Sequence, residues 1–151
     1  MALFFEGGEP FASGSQAYLS GPIGPTDPSN RLIIEIEIGE FTTSAVIDTG
    51  SPYVVIDPRI AESTGLESSS ALQPSILSIR GIRTTGFLHR INLTIRADRG
   101  EEITVDSTVF VPELEGQEWG LPCFIGWTGC LERLRFAIDP NDERFYFGGC
   151  P

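Results

Sequence analysis

The sequence has no lysine. All ten of its basic residues are arginines, set against 21 acidic residues for a formal net charge of −11. A chain this acidic, with no basic cluster, is a poor match for the phosphates of nucleic acid or for an anionic membrane surface, so neither is expected as a partner. Histidine is equally scarce. His89 stands alone and is read as a strand-face residue without a role. The three cysteines, Cys123, Cys130 and Cys150, fall in no metal-ligand spacing, so no metal and no cofactor are expected. Their odd count fits small core thiols in a reducing compartment better than a disulfide framework. No apolar run approaches the length needed to cross a bilayer. The opening Met1-Ala2-Leu3-Phe4-Phe5-Glu6 has neither a basic region nor a long apolar stretch of the secretory kind. Together these absences lead to the expectation of a cytoplasmic protein.

Turn-forming residues, by contrast, are plentiful. Seventeen glycines and eleven prolines in 151 residues favour many short elements within one domain over long helices. Residues 1–30 hold five Gly, four Pro and four Ser and are expected to form an irregular extension, with Leu3-Phe4-Phe5 available as an edge strand. The folded domain is expected over 31–148. There, Ile34, Ile36 and Ile38 alternate with Glu35 and Glu37, the two-residue period of a half-buried strand. A second strand through Ser44-Ala45-Val46-Ile47 leads into Asp48-Thr49-Gly50-Ser51, and Val54-Val55-Ile56 is also β-prone. Asp57-Pro58 reads as the capped start of a short helix that Gly65 stops. The Ser-rich stretch Glu67 to Ser70 reads as a loop.

Strands over Ile76 to Arg80 and Phe87 to Ile95 flank Gly81-Ile82-Arg83-Thr84-Thr85-Gly86, which reads as the glycine-bounded tip of a hairpin. A further strand is expected over Glu102 to Val111, and a short helix over Leu131 to Leu134. A terminal hairpin is expected from Arg135-Phe136-Ala137-Ile138 and Arg144-Phe145-Tyr146-Phe147 around Asp139 to Asp142. A weak duplication is also visible. Val46-Ile47-Asp48-Thr49-Gly50 and Phe124-Ile125-Gly126 each carry an apolar pair into a glycine-containing turn, and a short helix follows.

Val46-Ile47-Asp48-Thr49-Gly50-Ser51 is the segment that points to chemistry. Two apolar residues anchor the strand in the core and deliver a carboxylate at its end. Gly50 allows a tight turn and close approach of a partner backbone. Thr49 offers a hydroxyl to tie two such turns together, and Ser51 one to donate to the Asp48 carboxylate. A donor there favours the charged form, which implies an acidic pH optimum. Two carboxylates about 3 Å apart share one proton, and such a pair can activate water. The chain has one Asp-Thr-Gly. Asp57 and Asp139, both followed by proline, are explained by caps and turns. The second carboxylate is therefore expected from another copy in a two-fold homodimer.

With these motifs the chain resembles the retropepsin-like aspartic proteases, the single-domain class that includes retroviral proteases and bacterial relatives. Val46 to Ser51 is similar to the family's catalytic turn. Ile79 to Phe87 is similar to its flap hairpin, and Phe124-Ile125-Gly126 to the apolar-apolar-Gly signature behind that turn. Gly126 to Leu134 and Phe136-Ala137-Ile138-Asp139 are similar to the short helix and strand that follow. The match runs from about Arg31 to Gly148. It implies an all-β, retropepsin-like closed barrel with a flap hairpin and one or two short helices. It also implies a homodimer that hydrolyses peptide bonds without a metal. Asp48, Thr49, Gly50 and Ser51 would form the catalytic turn. Arg80, Gly81, Ile82, Arg83, Thr84, Thr85 and Gly86 would form the flap over substrate. In the retroviral members the terminal strands build the dimer sheet. The alternative is a non-catalytic dimerisation or peptide-binding module on the same fold.

Overall fold

The structure, a computed structural model, describes residues 3–25, 27–66, 71–116 and 118–150. The loop expected over 67–70 lies outside the described residues. In chain order the strands are β1 (Gly14–Ala17), β2 (Leu19–Gly21), β3 (Arg31–Ile38), β4 (Phe41–Ile47) and β5 (Val54–Val55), followed by helix α1 (Pro58–Ser63). Then come β6 (Gln73–Ile79), β7 (Ile82–Ile95), β8 (Arg99–Gly100), β9 (Ile103–Pro112) and β10 (Cys123–Ile125). A 3-10 turn (Leu131–Arg133) leads to β11 (Leu134–Asp139) and β12 (Arg144–Gly149). The fold is mostly β, as expected. No helix among the described residues is long and apolar enough to cross a membrane.

The larger sheet runs β2-β3-β4-β10-β5-β9-β7-β6, and β3 pairs additionally with β7. The alternation in β3 works as its pattern demands: Ile34, Ile36 and Ile38 are buried, and Ile36 sits opposite Thr43 on one side and Ile95 on the other. Strands β7 and β9 form the longest ladder, from Gly86 opposite Pro112 to Ile95 opposite Ile103. Their inward residues Leu93, Ile95, Val105 and Val109 join the isoleucines of β3 in the main core. Helix α1 begins as its sequence dictates. The Asp57 carboxylate accepts from the Arg59 N–H at 2.9 Å, Pro58 occupies the first turn, and Gly65 follows the helix at φ +81°.

The smaller sheet, β11-β12-β1-β8, corrects the expectation that residues 1–30 are irregular. β1 lies between β12 and β8, and β2 adds to β3. Small residues make β1 possible. A Cβ on Gly14 would stand 2.1 Å from the Glu101 carbonyl oxygen. Buried Gln16 acts as a piece of backbone. Its Nε2 donates to the carbonyls of Glu35 at 3.0 Å and Arg96 at 2.7 Å, and its Oε1 accepts from the Glu35 N–H. Buried Arg144 donates to Ser15 Oγ at 3.1 Å and pairs with Asp98, which also accepts from the Ala17 N–H at 2.9 Å. Strands from the two ends of the chain, β1 and β12, are thus paired with each other within one molecule.

Candidate active site

The two duplicated segments lie side by side. β4 and β10 are parallel neighbours, with Val46 opposite Phe124 and Ile47 opposite Ile125. The next residues along the two strands are Asp48 and Gly126. The Asp48 N–H continues the pairing by donating to the Ile125 carbonyl at 2.9 Å. From there the chain turns. Ser51 N–H donates to the Asp48 carbonyl at 3.0 Å, and Gly50 N–H donates to Asp48 Oδ1 at 3.0 Å. The following segment clamps this loop from behind: Trp127 N–H donates to the Ser51 carbonyl and Thr128 N–H to the Pro52 carbonyl, each at 2.8 Å. Gly126 is needed for that clamp, because a Cβ there would stand 2.1 Å from the Tyr53 carbonyl oxygen and 2.8 Å from that of Ser51.

Asp48 is half-buried, and Thr49 and Gly50 are exposed. Gly50 has no left-handed φ, and a Cβ on it would stand 3.3 Å from Asp48 Oδ1. Its small size therefore leaves room beside the carboxylate. Ser51 departs from expectation. Its hydroxyl donates to the Tyr53 carbonyl at 2.7 Å and so secures the loop; no bond from it to the Asp48 carboxylate is present. The Ser51 hydroxyl, engaged with Tyr53, therefore gives no basis for an acidic optimum.

Asp48, Gly50 and Ser51 line a cavity of about 420 Å³. Val46, Val55 and Phe124 line it from β4, β5 and β10. Leu77, Ser78, Ile79 and Arg80 line it from the β6–β7 hairpin, and Asp27 and Arg31 complete the wall. The hairpin differs from its expected form. Its turn is the pair Arg80-Gly81, both at positive φ (53° and 79°), as a two-residue turn between right-twisted strands requires. Ile82, Arg83, Thr84, Thr85 and Gly86 are therefore part of β7 and not of a tip. Of the seven residues assigned to the flap, Arg80 lines the Asp48 cavity. Ile82, Arg83, Thr84 and Thr85 line a separate depression with Glu113 and Glu115. Gly86 is buried where β7 pairs with the end of β9, opposite Pro112. A Cβ on it would stand 2.3 Å from the Val111 carbonyl oxygen and 2.6 Å from the Phe110 ring. It is a close-packing glycine, not a turn glycine.

Sequence reasoning missed Asp27 and Arg31. Neither belongs to a motif or an apolar period, and each reaches the cavity only through tertiary placement. Trp127 is 44% exposed and rests edge-on against Phe136, with ring centroids 6.5 Å apart. Cys123 and Cys130 are buried thiols. Burial pushes Cys123 up to about 11 and also raises Cys130, so neither is a ready nucleophile at neutral pH.

Comparison with known proteins adds to this geometry at the level of fold. The fold is similar to the crystal structure of a retropepsin-like aspartic protease from Rickettsia conorii. The TM-score is 0.51 and the identity 13%, and the match covers 91% of this chain and 96% of that one. No family model matches the chain, and no curated protein matches it.

Proposed function

We propose that this chain is an aspartic endopeptidase, active as a homodimer in which two Asp48 carboxylates meet. The carrying observation is the position of Asp48. It stands at the end of a core strand, half-buried beside a cavity, with Phe124-Ile125-Gly126 braced behind its turn. The likeness to a solved retropepsin-like aspartic protease supports the same reading.

The second carboxylate comes from another copy. The other acid of the cavity, Asp27, is taken up by Arg80, Arg31 and the Ser29 N–H. In the dimer the exposed Thr49-Gly50 turns face each other across the two-fold axis. Two carboxylates brought that close share a proton. The charged one takes a proton from water, and the neutral one donates to the substrate carbonyl. Aspartic peptidases are the type case of such pKa splitting. In this reading the return of β7 to β3 closes a barrel, and the β6–β7 hairpin is the flap, with the Arg80-Gly81 turn nearest the substrate. The free buried thiols fit a cytoplasmic setting.

The test is cleavage of a diverse peptide library across about pH 3 to 8, with wild type beside Asp48→Ala. Cleavage that vanishes in the variant is expected. Cleavage that survives it would assign the activity elsewhere. Absence of cleavage in both, together with no binding of a transition-state mimic, would favour the non-catalytic module.

A further inference from the structure

The cavity beside Asp48 contains a second charged group. Asp27 is buried, and its carboxylate accepts from Arg80 Nη2 at 2.7 Å, from Arg31 Nε at 3.1 Å and from the Ser29 N–H at 3.2 Å. Arg80 occupies the first position of the hairpin turn at φ +53°, where glycine, asparagine or aspartate fits with least strain. Its side chain, which reaches back 53 residues to Asp27, explains an arginine there better than its backbone does. Burial pushes the Asp27 carboxyl up, but the bonds from Arg80, Arg31 and Ser29 outweigh it and hold the carboxyl below its usual range. Asp27 is therefore charged at neutral pH and fixes both guanidinium groups.

Two guanidinium groups around one carboxylate leave the Asp27–Arg31–Arg80 cluster with one positive charge, in a cavity whose other charged lining residue is Asp48 and on a chain whose net charge is −11. Both cations are only partly covered: the side chain of Arg31 is 43% exposed and that of Arg80 is 32% exposed. Val46, Leu77 and Phe124 add apolar lining to the same cavity. A planar guanidinium already held in place loses little freedom on meeting a second carboxylate and can bind it through two parallel N–H donors.

We infer that the cleft selects peptides with a glutamate or aspartate side chain near the Asp48 turn, seated against the guanidinium groups of Arg31 and Arg80. Asp27 is a positioning residue for both. As a statement about substrate class this rests on the peptidase reading; as a statement about the cleft it is tested separately.

The experiment compares peptides that differ by Glu against Gln at one position at a time. Binding to the full-length Asp48→Asn protein is measured by calorimetry, and cleavage by wild type. At least one position is expected to favour Glu by about ten-fold in affinity, an effect the size of a charge-assisted pair. The preference should shrink at high salt and fall toward parity in Arg80→Met and in Arg31→Met. The wild-type comparison needs no variant, so misfolding of either one leaves the test intact. Equal binding of Glu and Gln peptides at every position, absence of peptide binding, or a Glu preference that survives both arginine variants overturns the subsite. A Glu preference in binding with no cleavage by wild type keeps the subsite and overturns the peptidase reading. Asp48-dependent cleavage blind to Glu and Gln does the reverse.

Discussion

A Cβ on Gly126 would stand 2.1 Å from the carbonyl oxygen of Tyr53. The contact is backbone against backbone, so no side-chain rotation relieves it. Gly126→Ala must displace either β10 or the loop that carries Asp48. We expect a loss of stability of about 1–3 kcal/mol or more and, on the peptidase reading, loss of cleavage with it. Gly50→Ala should be milder for stability, because its φ is ordinary and the nearest atom, Asp48 Oδ1, is 3.3 Å away. Denaturant titration of both variants checks this. A Gly126→Ala protein as stable as wild type would show that the clamp is looser than its hydrogen bonds indicate.

Ser51 gives a prediction opposite to the one its sequence position suggests. Its hydroxyl secures the loop through the Tyr53 carbonyl at 2.7 Å. Ser51→Ala should therefore cost about 1 kcal/mol of stability, the net worth of one hydrogen bond, and leave the midpoint of the acid limb of the pH–rate profile in place. A displaced acid limb would mean that the hydroxyl turns to the carboxylate in the working enzyme.

Gln16 joins two sheets with one side chain, donating to Glu35 and Arg96 carbonyls and accepting from the Glu35 N–H. Gln16→Ala leaves three backbone groups without these partners and should cost about 1–3 kcal/mol or more. Gln16→Glu should be worse than its near-identical shape suggests, because a carboxylate has no N–H for the two carbonyls. Thermal unfolding of the two variants beside wild type gives the order. Glu tolerated as well as Gln would contradict the donor assignment.

What could be read from the sequence was local. The alternation of Ile34, Ile36 and Ile38, the cap at Asp57-Pro58 and the apolar pairs before Asp48 and Gly126 all lie within a few residues of the structure they specify. Gly14-Ser15-Gln16-Ala17 carries no such period. It becomes a strand because β12 and β8 accept it on either side and Gly14 leaves room for the Glu101 carbonyl. Gly86 misled for a related reason. Glycine serves turns and close packing alike, and only the position of Phe110 decides between them. Asp27 and Arg80, far apart in the chain, share no local signal at all, and their meeting is a product of the fold.

His89 makes stability sensitive to pH in a window of its own. It is buried in β7, and burial pushes its imidazole below the ordinary value of 6.5. The folded state thus resists protonation that the unfolded state accepts. The linked stability is fully present above the unfolded value and is lost as pH falls from there through the folded one. Asp27, Asp98 and Asp106 are also depressed, but from an ordinary value of 3.8. Against the upward pull of burial, Asp27 is held down by its arginine partners, and Asp98 by the Ala17 N–H and Arg144. For Asp106 the bond from Arg90 dominates. Their contributions are lost only below that value. Since the chain has a single histidine, the two windows separate cleanly. The wild-type denaturation midpoint should fall as pH drops from 6.5 toward about 5, whereas His89→Leu should stay flat there. Both should then fall together below about pH 4. A wild type already flat between pH 6.5 and about 5 would show that the imidazole takes up its proton without leaving its buried place.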